Sequence, residues 1–449
     1  MKFLVILMIA VLTASNVTGV NMGFAPGVNV KNILMYMTLA LLALRAVVSR
    51  DFKIELPGLL ACFLALIAYG ILTYLIGAVV IEYPNYKPLE TAMKLVRVVV
   101  DPILFFLVVF YGVKTERDSM TLLKVFAIIF AIADFCTLTD VMGVTRFGVL
   151  IGDDGIESNR VFGFFGHANE TAAMLIFLIP IKVAFAIKAQ GIRRALWALA
   201  VGIGLTVFLL NGSKGGFLGM VVGSAWAAYI CRRYIDFRRL VVPMAAGAAF
   251  MLFVVFPLVS WKLGNVLFER ILGDLQNFGL ESASSGRSQI WSQALGRMSE
   301  TPIAFVTGFG WDSWKTMKFE TDNPHSHYLW LWFEFGILGL ATFALTIRQL
   351  VTTAFAALER TDGEVRLVMT GFIFGMMALT VAVMSTVLLV PWPFIYAVIG
   401  AAMRLALTAE SAAESVPEAA QKQSTTAPSM GFGWKRREAD LTGAARRGR

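Results

Sequence analysis

Residues 322–329 read Asp-Asn-Pro-His-Ser-His-Tyr-Leu and run on into WLWFEFGILGL. A polar loop turns there into an apolar segment. Pro324 suits the first position of a helix, where its missing N–H would have gone unpaired anyway. Asn323 or Asp322 then caps that helix. His325 falls in the first turn, beside unpaired backbone N–H groups and the positive end of the helix dipole. Such a place attracts anions, phosphate among them. It also disfavours the imidazolium, leaving a neutral ring able to take up a proton. The plainer alternative is a histidine-bearing cap at a membrane interface.

Everything that positions this stretch is apolar. The chain has 449 residues, 57% hydrophobic and 15% charged. Soluble domains carry about 25% charged residues, so the fold class is all-α and the chain a polytopic membrane protein. Runs long enough to span lie near 4–19, 32–49, 57–80, 93–112, 121–139, 170–187, 194–211, 215–231, 240–260, 328–347, 367–390 and 392–408, about 12 transmembrane helices. Residues 1–261 hold the first nine, 262–327 a long periplasmic loop, 328–408 the last three, and 409–449 a disordered cytoplasmic tail rich in Ala, Ser, Thr, Glu and Gln. The first span follows Lys2 and also fits a cleaved signal peptide, which leaves the orientation unchanged.

Charge supports this threading. The expected cytoplasmic turns, from Arg45 to Arg366 and counting Lys182, hold 16 Lys and Arg, against 7 in the short outer connections. That is the positive-inside pattern of a polytopic membrane protein. The net charge of +9 is then inner-face anchoring and does not call for nucleic acid. Cys62, Cys136 and Cys231 have neither zinc nor disulfide spacing and read as small core residues. In the fourth span Arg97 and Asp101 are spaced to pair, while Asp134 in the fifth has no obvious partner.

Two outer connections carry the remaining chemistry. One closes on Arg160-Val-Phe-Gly-Phe-Phe-Gly-His167-Ala-Asn169. The other contains SSGRSQIWSQALGRMSE, an amphipathic helix with Ile290, Trp291, Ala294, Leu295 and Met298 at helical spacing and Ser284 or Ser285 as its cap. Arg287 falls in its first turn, where a cation opposes the dipole, so a function or a surface salt bridge must account for it. Gly308 and Gly310 in TGFGWDSW mark a tight turn near the membrane surface. Glu334 lies at membrane depth, roughly 13 Å down the expected helix from His325; a carboxylate there needs a partner.

Four motifs in order, RxxGxxGHxN, SKGG (213–216), GRxxxW with a later GxG, and HSxxL with ExG, resemble the bacterial O-antigen ligase family, which also includes exopolysaccharide and O-antigen polymerases. The resemblance covers roughly residues 155–345. Two positions depart from the family pattern. Its His-Asn is His325-Ser326 here, and its Ser-Arg is Ser213-Lys214, which keeps the charge without the bidentate fork.

The resemblance implies a C-type membrane glycosyltransferase working without metal or cofactor. It would move an oligosaccharide from undecaprenyl diphosphate to a sugar hydroxyl at the outer face. Its partners would be the lipid-linked donor, an acceptor glycan or glycolipid, the bilayer, and other polysaccharide assembly proteins. The chemistry of the residues fits. A departing diphosphate wants cations, for which Arg160, Lys214 and Arg287 are candidates. The acceptor hydroxyl wants a base, for which His325 is the candidate. His167 and Asn169 are expected to shape the donor pocket. His327 and Glu334 are further candidate binding positions, each with a structural alternative. Polymerisation of exopolysaccharide repeats is favoured over ligation to lipid A core. A rival class is a lipid-linked sugar transporter or flippase, although transporters place their ionisable groups near the midplane. A metal site on Asp322, His325 and His327 matches no familiar zinc spacing.

Overall fold

In a bilayer core, every backbone N–H and C=O must be paired within the chain, and helices do this segment by segment. The computed structural model obeys this requirement. It describes residues 2–424 apart from 18–22, 26–27, 50–52, 82, 84–85, 146–160, 166, 236–256, 258–286, 320, 322 and 389–391. The chain divides into two units, Met1–Glu410 and Ser411–Arg449. Among the described residues, nine helices are long and apolar enough to cross a membrane.

The helices, in order, are α1 (Lys2–Val17), α2 (Val30–Ser49), α3 (Pro57–Val80), α4 (Pro88–Gly112), α5 (Glu116–Val141), α6 (Ala168–Lys188) and α7 (Gly191–Asn211). Helix α8 covers residues 214–231 in three consecutive pieces, the middle one, Gly219–Gly223, a wide π turn. Then come α9 (Arg287–Glu300) and two single turns, α10 (Ala304–Thr307) and α11 (Ser313–Thr316). The chain closes with α12 (His327–Arg360), α13 (Gly363–Ala382) and α14 (Trp392–Ser424). A short antiparallel ribbon, Gly23–Ala25 against Val28–Asn29, precedes α2. Eleven of the expected spans fall on helices; the one near 240–260 lies outside the described residues.

Helix α6 is the centre, buried on nearly every face. Helix α13 crosses it at Gly371 and Gly375, where a Cβ would stand 2.6 Å from the Pro180 oxygen and 2.3 Å from the Phe177 oxygen. Helix α8 crosses α13 in the same manner, with Gly219 and Gly223 against Ala378. Lipid is as apolar as Leu, so close backbone approach at small residues replaces the hydrophobic drive between helices.

Four details differ from expectation. Lys182 is no cytoplasmic anchor: it is fully buried in α6, with Nζ 2.6 Å from Asp134 Oδ2 of α5. This supplies the partner that Asp134 lacked in the sequence. Asp101 accepts from the Tyr36 hydroxyl at 3.0 Å; a π turn at Val96–Val100 takes Arg97 out of the expected helical register with it. Helix α13 stops at Ala382 instead of 390, because the Met384 and Ser385 N–H groups turn back onto Val381 and Ala382. The expected tail opens as helix up to Ser424.

Hydrogen bonds and ion pairs mark the two ends of the bundle. At one end Tyr83 meets Phe309 and His327 meets Val383. At the other, Arg404 pairs with Glu55, and Lys124 with Glu364 at 2.6 Å.

The Asp134–Lys182 pair yields the first prediction. Removing one member strands a buried charge, which costs about 3–5 kcal/mol. Asp134→Ala should lower the thermal unfolding midpoint of the purified protein sharply, and Asp134→Leu with Lys182→Met should recover most of it. A midpoint unchanged in Asp134→Ala would show the pair contributes little.

Candidate functional site

Helix α12 begins later than its sequence suggests. Ser326 is the N-cap, its hydroxyl facing the Leu329 N–H at 3.4 Å, and His327 is the first helical residue. Pro324 and His325 therefore precede the helix. His325 has φ +50°, in the left-handed region that few non-glycine residues visit. Its N–H donates to Asn323 Oδ1 at 2.9 Å. That Asx turn consumes the Asn323 side chain expected to cap the helix. The dipole argument for His325 lapses with this shift. The side chain remains half-buried at the mouth of the loop. Asp322 lies outside the described residues.

His327 goes inward. Its N–H donates to the Val383 and Thr386 carbonyls at 2.9 and 3.1 Å. Its ring is 3% exposed and packs against Trp330, Phe343 and Trp392 at centroid distances of 5.1–5.3 Å. Its Nδ1 is buried without a hydrogen-bond partner. A ring so enclosed packs as part of the core.

Arg287 opens α9, as expected, and is half-buried. Burial pulls its guanidinium below the usual arginine value, and among the described residues no carboxylate contributes. Helix α9 buries Ala294 and Met298, while Leu295, expected on the same face, is 40% exposed. Trp291 Nε1 donates to the Pro324 carbonyl at 2.8 Å. The Arg287 helix is thus tied to the loop that holds His325.

The turn at Gly308–Gly310 is built into the membrane helix. Helix α12 breaks at Gly336, whose φ of 67° and ψ of −171° belong to glycine alone. The break frees the carbonyls of Phe333 and Glu334. Phe309 and Gly310 donate their N–H groups to these at 2.8 and 3.2 Å, and the Trp311 N–H goes to Thr73 of α3 at 3.2 Å. The strands touch backbone to backbone: a Cβ on Gly308 would lie 2.4 Å from the Glu334 oxygen, and one on Gly336 2.1 Å from the Val306 oxygen. The GxG and ExG motifs are two halves of one crossing.

Glu334 is 1% exposed at this crossing. Its polar neighbours are the Asp312 backbone N–H and the Trp330 indole, and Oε2 has no hydrogen-bond partner. Lys94 ion-pairs with Asp312 beside it. Tyr83 and Tyr86 donate to the Phe309 and Trp311 carbonyls at 2.8 and 3.0 Å. Burial pushes both phenols up, with Glu334 adding to Tyr83 and Asp312 to Tyr86, so they stay protonated as donors. Sequence reasoning missed Lys94, Asp312, Tyr83 and Tyr86. The only available signal was two outer-loop tyrosines, Tyr83 and Tyr86, within four residues of Lys87, too common a pattern to single out.

The other two motifs meet nearby. Ser213 caps the first piece of α8 and donates to Asn169 Oδ1 at 2.8 Å, joining SKGG to GHxN. Asn211 donates to the Val161 carbonyl at 2.7 Å. Arg160 itself lies outside the described residues. Lys214 is half-buried in the first turn of α8, and His167 is exposed at the N-cap of α6. Gly215 packs against Ser385. The loop 383–386 therefore touches both SKGG and His327, and it joins the two motif groups at one end of the bundle.

Residues 198–344 match a family model described as O-antigen ligase. The resemblance drawn from the motifs is borne out over this stretch, which contains Lys214, Arg287, His325, His327 and Glu334. An uncharacterized protein of Haemophilus influenzae is 22% identical over 194 residues, covering 40% of this chain and 48% of that protein. The chain thus spans about half the length of this curated relative.

The backbone crossing predicts unequal costs for alanine. Gly336→Ala and Gly308→Ala should each abolish accumulation of folded protein, because a Cβ collides with backbone that cannot move. Gly296→Ala in α9 meets nothing within 4 Å and should be neutral or stabilising by up to ~1 kcal/mol. Fluorescence-detected gel filtration of the three variants checks this; a monodisperse Gly336→Ala peak would refute the crossing.

Proposed function

We propose that the chain is a glycosyltransferase that moves an oligosaccharide from undecaprenyl diphosphate to a sugar hydroxyl at the outer face of the inner membrane. The observation that carries the reading is Arg287: a half-buried guanidinium that meets no carboxylate among the described residues, on a helix hydrogen-bonded to the His325 loop. An unpaired, partly desolvated guanidinium is suited to grip a phosphate with two parallel hydrogen bonds. The O-antigen ligase match over the same residues supports this direction.

The reaction is a single displacement. The acceptor oxygen bonds to the anomeric carbon from the face opposite the diphosphate, and its proton passes to the His325 ring. The carbon–oxygen bond to the diphosphate breaks, its electron pair leaves with the bridging oxygen, and the anomeric configuration inverts. Arg287, with Lys214 and Arg160, balances the charge that grows on that oxygen. His167 and Asn169 border the donor side, Asn169 by holding Ser213 at the start of α8. The diphosphate leaves readily, so no general acid is needed. We favour another repeat unit as acceptor, which makes the enzyme a polymerase of exopolysaccharide; transfer to lipid A core is the ligase alternative. A flippase would leave the glycosidic bonds of the donor unchanged, and product analysis separates it.

Two variants separate the histidines. His325→Ala should cost on the order of 10²–10⁴ in turnover, the usual range for a general base, with the unfolding midpoint unchanged. His327→Ala should instead destabilise, by about 3–5 kcal/mol as for other enclosed rings. Both are assayed with lipid-linked repeat units in membranes of equal protein content. Normal turnover in His325→Ala would remove the proposed base.

Arg287 is tested by charge and by shape. Arg287→Ala should abolish product while the protein still accumulates. Arg287→Lys should also be poor, because an ammonium cannot reproduce the fork. Near-normal polymer from both would reduce Arg287 to a surface residue.

A further inference from the structure

The bundle end opposite the candidate site holds a second opening. It lies between α2, α3, the end of α4 and α14, and encloses about 650 Å³, within the range of ligand pockets. Its walls are aliphatic, with Leu39, Leu42, Leu60 and Leu107 among them. Its rim is cationic: Arg45, Lys53, Lys114 and Arg404.

Among the described residues one acid, Glu55, lines the opening, and it is already engaged. Arg404 pairs with it through Nη1 and reaches the Lys114 carbonyl with Nη2 at 3.5 Å. Among the described residues, Arg45, Lys53 and Lys114 form no ion pair. Three cations that no described acid compensates thus surround the mouth of a greasy cleft. Helix α2 also exposes apolar side chains that do not line the cleft, Leu41, Leu44 and Val48.

We propose that this opening binds an anionic phospholipid from the leaflet on that side of the membrane. The acyl chain lies along Leu39, Leu42 and Leu60, and the headgroup phosphate sits among Arg45, Lys53 and Lys114. A soluble anion has no use for the aliphatic walls, and a neutral lipid has none for the cations. Basic pockets between membrane helices recognise phospholipid headgroups in this way. The fixed Arg404–Glu55 pair keeps the carboxylate from neutralising the lysines. The site is independent of the glycan chemistry at the other end.

Native mass spectrometry of the purified full-length chain tests the proposal. The protein is exchanged into micelles containing equal dioleoyl phosphatidylglycerol and dioleoyl phosphatidylcholine, and retained lipid is counted. Phosphatidylglycerol should be retained preferentially. Lys53→Gln with Lys114→Gln should weaken that retention roughly fivefold per lysine removed. Ala43→Trp, which fills the cleft and leaves every charge in place, should abolish it. Arg193→Gln with Arg194→Gln, at exposed positions on the same side, should leave it unchanged. Equal retention of the two lipids overturns the proposal. So does an equal loss from the Arg193/Arg194 pair, which would mark a diffuse surface charge. If Ala43→Trp does not fold, the two charge pairs decide alone.

Discussion

The architecture turns on a backbone debt inside the membrane. Helix α12 breaks at Gly336, and two carbonyls at membrane depth lose their helical donors. Lipid cannot satisfy them, and an unpaired polar group there costs several kcal/mol. The TGFGW turn supplies the missing N–H groups from outside the helix. Once the turn is committed to that place, its neighbours follow. Trp311 is drawn against Thr73 and Thr91, Asp312 against Lys94, and helix α9 is delivered next to the loop that precedes α12. The arrangement of Arg287 and His325 is downstream of a hydrogen-bond requirement that involves neither.

Charge inside the bundle follows the same logic. Asp134 and Lys182 are fully enclosed and answer each other. Lys94 stands between Asp312 and Glu334 and is paired to the first. These groups are spent on cohesion between helices. Arg287 is the contrast, because among the described residues nothing acidic approaches it and burial alone perturbs it. A guanidinium left half-dry and unpaired is costly to keep. It becomes favourable when an anion arrives, which is the behaviour a diphosphate site requires.

Much of the fold was readable from hydropathy because span length and apolar composition are set by the bilayer, not by tertiary detail. The helices α2 to α7 lie where the runs of apolar residues put them. The Arg287 helix was readable from its periodicity, though Leu295 shows that one face of a short helix can be misjudged by a residue. What failed was local and geometric. Asn323 and Pro324 both look like helix starters, yet Ser326 won the cap because the Asx turn at His325 already uses the Asn323 side chain. Lys182 looked like an anchor because its partner, Asp134, is 48 residues away and shares no local pattern with it. The joining of SKGG to GHxN through Ser213 and Asn169, and of both to His327 through residues 383–386, depends on helix packing that single-chain periodicity does not encode.

Two histidines two residues apart end in different surroundings, one half-buried and one fully enclosed, because one serine intervenes. Ser326 fixes the point where helical geometry begins. Before it, His325 sits on a left-handed turn outside the helix. After it, His327 points into a box of Trp330, Phe343 and Trp392. The family pattern places Asn where Ser326 stands, and both residue types are strong caps. The substitution therefore preserves the division between an outer and an inner histidine, whatever else an amide at that position would have contributed. The replacement of Arg by Lys214 is of another kind. It keeps a positive charge at the start of α8 but gives up planar recognition, so in the proposed reaction bidentate phosphate binding would fall to Arg287 and Arg160.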